Sequence, residues 1–257
     1  MPWPSTFRDH APQLEAPGDV VAPQGAPMGD IAAVIPAYNA AASIAAVVSG
    51  TSRYLSRIVV VDDGSTDDTT QQARTAGAEV LAHPRNRGKG AALRTAFAAL
   101  GVAGLDAIIT LDADGQHDPS DIPRLVEAFR STGADLIIGS RWDEFGGMSR
   151  LRRFGNRFSS SALAFFTGLR VPDSQSGFRL YSLPFLSSVR LTGEAYEMEM
   201  EVILLASASG KRVETVPIRL LVADGRNRSH FRGFRDTFRI CACVVGFSFR
   251  RLWGKVP

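Results

Sequence analysis

Short apolar runs alternate along the first 140 residues with longer stretches in which apolar positions recur at helical spacing. The apolar runs predict strands, and the stretches between them predict helices. The strands are Ile31–Pro36, Arg57–Val61, Ala78–Ala82, Ala107–Leu111 and Asp135–Ile138; the helices are Ala41–Leu55, Asp67–Ala76, Gly90–Leu100 and Pro119–Arg130. This alternation predicts an α/β fold: a mostly parallel, doubly wound sheet with helices on both faces.

The pattern changes after residue 141. It predicts helices at Arg150–Gly168 and Tyr196–Ser209, and strands at Phe178–Ser182 and Arg212–Leu221. We expect this half to complete the same sheet and to form the second wall of one cleft. Residues 1–29 are rich in Pro, Ala and Gly, which predicts a disordered arm. The predicted domain therefore covers residues 30–230, followed by a basic amphipathic tail at 231–257.

Ligands of doubly wound sheets bind beyond the carboxyl ends of the strands. Four predicted strand exits lie there: Pro36–Asn39, Asp62–Ser65, Asp112–His117 and Gly139–Arg141. Candidate chemistry is therefore sought at these exits.

The strongest signal follows the fourth predicted strand, where Asp112, Asp114 and Gln116 occur at alternate positions. In an extended segment such residues point the same way, so we expect them to converge on Mg²⁺ or Mn²⁺, with diphosphate and water as the other ligands. An EF-hand loop is disfavoured, because its glycine and twelfth-position glutamate are missing. A solvated acidic turn is the alternative.

Two acids, Asp62 and Asp63, also leave the second predicted strand and meet a Gly-Ser turn. Their carboxylates are candidates for hydrogen bonds from a ribose or a base. Helix capping by Ser65 and Asp67 is the alternative, but capping leaves Asp62 and Asp63 unexplained.

Gly88 and Gly90 flank Lys89 directly before a predicted helix, which is a geometry suited to anions. The motif lacks the spacing of a P-loop, and no Gly-x-Gly-x-x-Gly follows a strand, so ATPase and dinucleotide-binding folds are disfavoured. A surface turn explains this motif equally well.

The charge of the chain is unevenly distributed. The net charge is +3, but residues 211–257 carry eleven Lys/Arg against three Asp/Glu. The tail also contains aromatic residues, which suits an anionic membrane surface: Phe231, Phe234, Phe238, Phe247, Phe249 and Trp253. We expect no nucleic-acid partner, since no recognised motif accompanies the charge. The alternative to a membrane contact is a basic helix face that is simply solvated.

No apolar run is long enough for a transmembrane helix. We therefore expect a peripheral protein at the cytoplasmic face of a membrane.

An ordered series of motifs between about residues 31 and 230 resembles glycosyltransferase family 2, with its GT-A fold, and within it the polyprenyl-phosphate sugar transferases. The series comprises Pro36-Ala-Tyr38-Asn39, Val61-Asp62-Asp63-Gly64-Ser65, Asn86-x-Gly88-Lys89-Gly90, Asp112-Ala-Asp114-Gly-Gln116-His117, Gly139-Ser140-Arg141 and Asp173-Ser-Gln-Ser176-Gly177-Phe178-Arg179. The family's late Gly-x-Ser-Lys stretch is replaced by Arg226-Asn-Arg228-Ser229-His230.

The resemblance implies a role for each matching position. Pro36, Tyr38, Asn39 and Asp63 would line the nucleotide pocket, with Asp62, Gly88 and Lys89 nearby. Asp112, Asp114 and Gln116 would hold the metal on the donor diphosphate. Arg141 and one of Arg152 or Arg153 would grip the acceptor phosphate, Arg226 and Arg228 are further candidates for that task, and Ser176 and Gly177 would lie near the acceptor. The resemblance also implies an inverting reaction.

The implied reaction is attack of an acceptor oxygen on the anomeric carbon of a GDP-mannose or UDP-glucose type donor. A hydroxyl acceptor needs a general base, whereas a phosphate monoester is largely a dianion at neutral pH and needs arginine to position it. Three alternatives stay open: a family 2 transferase with a saccharide or small hydroxyl acceptor, a sugar nucleotidyltransferase, and an inactive binding module.

Overall fold

The computed structural model describes residues 30–101, 104–141, 160, 163–164, 167–169, 171–195, 197–221 and 247. Its strands are β1 (Ile31–Ala37), β2 (Arg57–Asp62), β3 (Glu79–Ala82), β4 (Ala107–Thr110), β5 (Leu136–Ser140), β6 (Arg179–Ser182) and β7 (Val213–Pro217). Its helices with described bounds are α1 (Ile44–Thr51), α2 (Thr69–Thr75), α3 (Lys89–Leu100), α4 (Ile122–Thr132), α5 (Leu183–Ser188) and α6 (Glu197–Ala208).

The strands form one sheet in the order β3-β2-β1-β4-β6-β5-β7. Every neighbouring pair is parallel except the two made by β6, which runs antiparallel to both β4 and β5. The prediction of a mostly parallel sheet is confirmed. The expectation that the second half completes that sheet is also confirmed, since β6 and β7 both lie in it.

Both faces of the sheet are buried. Along β1, Ala32 and Val34 pack into the core on one face, whereas Ala33 and Ile35 pack into the core on the other. This explains the continuous apolar run of β1, because a strand covered on both sides has no polar face. Phe247 also packs into the first of these cores and is 5% exposed. That ring therefore does not contribute to a membrane-facing surface.

The observed elements are mostly shorter than the predicted ones, and one helix was missed. β7 ends at Pro217 rather than at Leu221, and α4 is preceded by a 3₁₀ turn at Pro119–Asp121. The missed helix, α5, follows β6 without a loop: the Ser182 hydroxyl accepts a hydrogen bond from the Phe185 N–H (3.3 Å), and Pro184 lies in the first turn. Serine caps and early prolines favour helix starts, but six residues are too few to show a helical period.

Several predicted features lie outside the described residues. They are the arm at 1–29, most of the helix predicted at Arg150–Gly168, and the tail at 231–257 apart from Phe247. Within the described ranges, none of the helices is both long enough and apolar enough to cross a membrane.

The sheet brings the predicted strand exits to one edge. β1, β2, β4 and β5 all end there, and β6 begins there, with Arg179 at the same level as Thr110 of β4 and Ile138 of β5. The loop before β6 therefore lies between the exits of β4 and β5.

Candidate active site

Asp112, directly beyond β4, forms an ion pair with Lys89. The Lys89 Nζ lies 2.5 Å from Asp112 Oδ1 and 2.6 Å from Glu199 Oε1. Lys89 is the first residue of α3 and Glu199 belongs to the first turn of α6. The ammonium group therefore joins two carboxylates that are far apart in the sequence.

The pKa values of the two acids at the β4 exit are shifted in opposite directions. Burial works against ionisation of Asp112, but the charge and the hydrogen bond of Lys89, together with the other positive charges nearby, outweigh burial and lower the pKa to about 2. The pKa of Asp114 is raised, first by burial and then by the negative charge of Asp112. Two carboxylates that repel each other in this way form a site that a cation would stabilise.

The segment that carries these acids is a turn, so the prediction of an extended segment was wrong. β4 ends at Thr110, a turn follows at 113–115, and Gly115 has φ +74°. The Gln116 main-chain N–H donates to Asp114 Oδ1 at 3.0 Å. The acids are thus brought together by the turn, and not by the alternation of a strand.

His117 is buried under the same turn and holds it by a hydrogen bond. Its ring is 3% exposed, and its Nδ1 accepts a hydrogen bond from the Asp112 N–H at 3.3 Å. Burial lowers its pKa to about 4. A neutral ring with an unprotonated Nδ1 fits both observations, so His117 fixes the main chain of Asp112.

The donor set at this exit fits a divalent metal whose coordination is completed by a substrate. Among the described residues, no three His, Cys, Asp or Glu side chains cluster closely enough to hold a metal alone. Asp112 and Asp114 supply two carboxylates, and Gln116 is the third predicted ligand. Mg²⁺ and Mn²⁺ accept such partial oxygen sets when phosphates provide further ligands.

Asp62 and Asp63 are buried, 5% and 3% exposed, and their oxygens contact the protein itself. Asp62 accepts hydrogen bonds from the Ser65 N–H (2.9 Å) and the Thr70 hydroxyl. A ribose hydroxyl that binds Asp62 would have to share its oxygens with the Ser65 N–H and the Thr70 hydroxyl.

Asp63 holds the loop that leads into α3. Its Oδ2 accepts from the Gly88 N–H (2.7 Å), both oxygens accept from the Arg87 N–H (3.0 and 3.1 Å), and His83 Nδ1 lies 2.6 Å from Oδ1. The carboxylate is thus a fixed support for the segment that presents Lys89.

The two glycines around Lys89 allow another chain segment to approach. Gly88 has φ +97°, and a Cβ there would lie 2.4 Å from the Glu194 carbonyl oxygen. A Cβ at Gly90 would lie 2.7 Å from the Gly193 carbonyl oxygen. The Glu194 carbonyl also accepts the Ala91 N–H at 3.1 Å. The surface-turn alternative is therefore wrong, because this loop is packed against the segment before α6.

The three acids at the start of α6 have separate partners. Glu199 binds Lys89, whereas Glu201 accepts the Thr192 and Gly193 N–H groups at 3.0 and 2.8 Å. Glu197 accepts from the Ala195 N–H at 3.2 Å. Glu199 is the acid that belongs to the site, and no local sequence pattern separates it from the other two.

Arg141 leaves β5 and forms a two-pronged ion pair with Asp173. Its Nε lies 2.6 Å from Asp173 Oδ2, and its Nη2 lies 3.0 Å from Oδ1. Burial lowers the pKa of Arg141, but Asp173, and then Asp112 and Glu199, raise it above its ordinary value. Arg141 therefore belongs to the same electrostatic cluster as the β4 exit. Asp173 was part of a recognised motif, but no role had been predicted for it.

The loop between Asp173 and β6 contains Ser176 and Gly177, both predicted to lie near the acceptor. Ser176 is fully buried, and the Thr110 hydroxyl donates to the Gly177 carbonyl at 2.7 Å. A Cβ at Gly177 would lie 2.5 Å from Asp112 Oδ1 and 2.7 Å from Lys89 Nζ. This glycine therefore allows the loop to touch the charged pair.

Arg179 fastens this loop from inside the protein. Its side chain is fully buried and donates to the carbonyls of Ser174, Ser176 and Glu199, each at 2.7 Å. A lysine has no planar fork with which to reach three carbonyls at once.

The predicted nucleotide-side residues lie at the β1 exit. Asn39 has φ +49°, and its side-chain oxygen accepts the Thr66 N–H at 2.9 Å, which ties this exit to the turn after β2. Pro36 and Tyr38 are partly exposed beside it. Four predicted acceptor-side residues lie outside the described residues: Arg152, Arg153, Arg226 and Arg228.

Comparison with known proteins identifies the family. Residues 32–190 match the family described as Glycosyl transferase family 2. The undecaprenyl-phosphate mannosyltransferase of Micrococcus luteus is 32% identical over 198 residues, which cover 72% of this chain and 81% of the relative. The UDP-N-acetylglucosamine–dolichyl-phosphate N-acetylglucosaminyltransferase of Methanococcus voltae is 29% identical over 239 residues, covering 83% and 95%.

The fold comparison agrees with the sequence comparison. Glucosyl-3-phosphoglycerate synthase from Mycobacterium tuberculosis, in a crystal structure with phosphoglyceric acid, superposes with a TM-score of 0.71. It is 24% identical, and the match covers 89% of this chain and 81% of that one. The chain therefore belongs to glycosyl transferase family 2 and is a glycosyltransferase with the GT-A fold.

Proposed function

We propose that this glycosyltransferase moves a sugar from a nucleotide-sugar donor onto a polyprenyl phosphate, with inversion at the anomeric carbon and with Mg²⁺ or Mn²⁺ as cofactor. The observation that carries the proposal is the half-buried Arg141, held by Asp173 within the electrostatic reach of Asp112. A fixed guanidinium beside a carboxylate pair suits an anionic acceptor opposite a metal-bound donor. The two relatives named for transfer to undecaprenyl phosphate and dolichyl phosphate support the same acceptor class.

The donor side of the reaction belongs to the β4 exit. Asp112, Asp114 and Gln116 would hold the metal, which neutralises the negative charge that develops on the leaving diphosphate. Lys89 places a second positive charge beside Asp112. Pro36, Tyr38 and Asn39 would line the nucleotide pocket, with Asp62 and Asp63 behind them.

The acceptor side belongs to Arg141. The second pKa of a phosphate monoester is about 6, so at neutral pH the acceptor is already a nucleophile and needs no proton acceptor. An acceptor phosphate oxygen would form the new bond to the anomeric carbon as the bond to the nucleoside diphosphate breaks. Arg152 or Arg153, with Arg226 and Arg228, would add further positive charge around that phosphate.

The tail would keep the enzyme at the lipid. Six Lys/Arg against one Asp in residues 231–257 favour an anionic surface. We propose peripheral attachment at the cytoplasmic face, where the lipid acceptor and the donor meet.

An acceptor assay tests the proposal. Purified full-length protein is incubated with Mn²⁺, with one labelled donor at a time (UDP-glucose, UDP-N-acetylglucosamine or GDP-mannose), and with vesicles containing undecaprenyl or dolichyl phosphate. We expect one donor to label the lipid fraction as an acid-labile sugar phosphodiester, and EDTA to abolish the labelling.

The prenol of the same chain length, which lacks the phosphate, is the matched control and is expected to stay unlabelled. Labelling of saccharides with no labelling of lipid phosphates would overturn the proposal in favour of a hydroxyl acceptor. Formation of a nucleotide sugar from a sugar phosphate would instead indicate a nucleotidyltransferase.

A further inference from the structure

The Arg141–Asp173 pair is buried more deeply than a surface ion pair. The Asp173 side chain is fully buried and that of Arg141 is 12% exposed. Besides the two guanidinium contacts, Asp173 Oδ2 lies 3.3 Å from the Arg141 main-chain N–H. One carboxylate thus fixes both the backbone and the side chain of Arg141.

This pairing sets the orientation of the guanidinium. A guanidinium is planar and has five N–H donors, and two parallel contacts to one carboxylate fix both its position and its plane. Asp173 binds the edge formed by Nε and Nη2. The edge formed by Nη1 and the second Nη2 hydrogen is therefore turned away from Asp173.

The loop that follows Asp173 is itself held in place by Arg179. Arg179 donates to the carbonyls of Ser174 and Ser176 in the loop that follows Asp173, and to the carbonyl of Glu199 in α6. The same loop contacts Asp112 and Lys89 through Gly177. The position of Asp173 is therefore tied to that of Asp112 and Lys89.

We propose that Asp173 is a positioning residue: it orients Arg141 so that the guanidinium edge turned away from Asp173 receives the acceptor phosphate. This inference rests on the proposed function, because it assumes that the acceptor carries a phosphate. Asp173 acts through Arg141, and its own oxygens do not meet the substrate.

The competing role for a buried aspartate at this place is proton acceptor. A proton acceptor needs an oxygen within hydrogen-bond reach of the attacking group, whereas both oxygens of Asp173 face Arg141. The two roles predict different behaviour of the Asp173→Asn variant, in which an amide of the same size replaces the carboxylate.

The test measures kcat and KM for a short-chain polyprenyl phosphate, and the affinity for the nucleotide diphosphate with Mn²⁺. In Asp173→Asn we expect kcat/KM for the acceptor to fall about 10²-fold, as for a misplaced binding group. Nucleotide affinity is expected to be unchanged. The acid limb of the pH profile is expected to persist, since it reports the second ionisation of the acceptor phosphate, at about pH 6.

A double-mutant cycle separates an effect through Arg141 from an independent one. Because Arg141→Gln alone leaves a buried carboxylate without its cation, it is compared with the Arg141→Gln/Asp173→Asn double variant, in which two amides replace the ion pair. If Asp173 acts through Arg141, the double variant transfers no more slowly than Arg141→Gln alone. The matched control is Asp135→Asn at the opposite end of β5, where the carboxylate pairs with Lys211 at 3.4 Å; it is expected to keep wild-type kinetics.

Two results would overturn the inference. One is an Asp173→Asn variant whose acid limb disappears and whose loss adds fully to that of Arg141→Gln, which is the behaviour of a proton acceptor. The other is an Asp173→Asn variant with wild-type acceptor kinetics. Failure of the wild-type protein to use any phosphate acceptor is a separate outcome, which contradicts the proposed function itself.

Discussion

Two acidic pairs lie at the ends of strands that flank β1, and their surroundings differ. Asp62, the last residue of β2, and Asp63 are bound mainly by main-chain N–H groups and hydroxyls, and His83 Nδ1 lies beside Asp63. Asp112, after β4, is bound by the Lys89 ammonium, and its charge raises the pKa of Asp114. The same sequence feature, acids directly after an apolar strand, thus gives two environments.

The difference separates carboxylates that stabilise the fold from carboxylates that can take part in the reaction. Main-chain donors are neutral, fixed and part of the fold, so a carboxylate that binds them stabilises a loop. A carboxylate that faces a flexible ammonium group and a second carboxylate can exchange the ammonium group for a metal ion, which lets the ammonium group bind a phosphate. We therefore expect substitutions after β2 to affect mainly stability, and substitutions after β4 to affect mainly activity.

The largest expected effect is that of Asp112→Asn on turnover. The variant loses the charge that would bind the metal, and we expect kcat to fall about 10²–10³-fold, the usual loss for one electrostatic group in an active site. Lys89 keeps Glu199 as a partner and the Asp112 side chain is 27% exposed, so solvent screening should limit the loss in free energy of unfolding to about 1 kcal/mol despite the lowered pKa. Steady-state kinetics and urea unfolding measure the two quantities.

Asp68→Asn is the matched control for this substitution. Asp68 is exposed and precedes α2 without a side-chain capping hydrogen bond, so both quantities should stay at the wild-type values. A strongly destabilised Asp112→Asn protein would show that Asp112 mainly stabilises the fold, as Asp63 does. The contrast between the two acidic pairs would then be wrong.

Asp63→Asn is expected to have the opposite effect. Both oxygens of Asp63 accept main-chain N–H groups, so the amide nitrogen of an asparagine would face a donor in either orientation. A buried donor left without an acceptor costs about 1–3 kcal/mol, and the free energy of unfolding should fall by that amount. Urea unfolding at neutral pH checks the prediction, and a variant as stable as Asp68→Asn would refute it.

Two glycines test the contrast without changing a charge. In Gly177→Ala the new methyl group meets the ends of the Asp112 and Lys89 side chains, whereas in Gly90→Ala it meets main-chain atoms of Gly193 and Glu194. Side-chain ends move easily and the backbone does not. We expect Gly177→Ala to lose about 10-fold or more in kcat/KM through displaced site groups, with little loss of stability.

Gly90→Ala should be destabilised by about 1–3 kcal/mol, as in an overpacked core. The paired measurement is again kinetics against urea unfolding. If Gly177→Ala were the less stable and the more active of the two variants, the assignment of that loop to the site would be wrong.

The sequence predicted the sheet and its exits because these depend on local patterns. The apolar run of β1 and the acids after β4 are visible within a few residues, and the alternation of strands and helices places all parallel exits on one edge. The turn at Ala113–Gly115 was missed, because alternating acids are compatible both with a strand and with a turn.

The partners of the charged groups were not predictable from one sequence. Glu199 lies 110 positions from Lys89, and its neighbours Glu197 and Glu201 are the same residue type in the same helix. Only packing of α6 against α3 selects one of the three. Asp173 likewise meets Arg141 across 32 positions, and nothing local marks it as an arginine partner.

The smallest effect is expected for Asp62→Asn, and it tests the contrast within the β2 pair itself. Asp62 accepts one main-chain N–H, from Ser65, and one hydroxyl, from Thr70. An asparagine can keep its oxygen toward Ser65 and donate its amide N–H to Thr70 Oγ1, because a hydroxyl accepts as readily as it donates. The loss is then limited to the charge, about 0.5–1.5 kcal/mol in urea unfolding. A loss as large as that of Asp63→Asn would mean that burial of the charge, and not the direction of the hydrogen bonds, decides the stability of this loop.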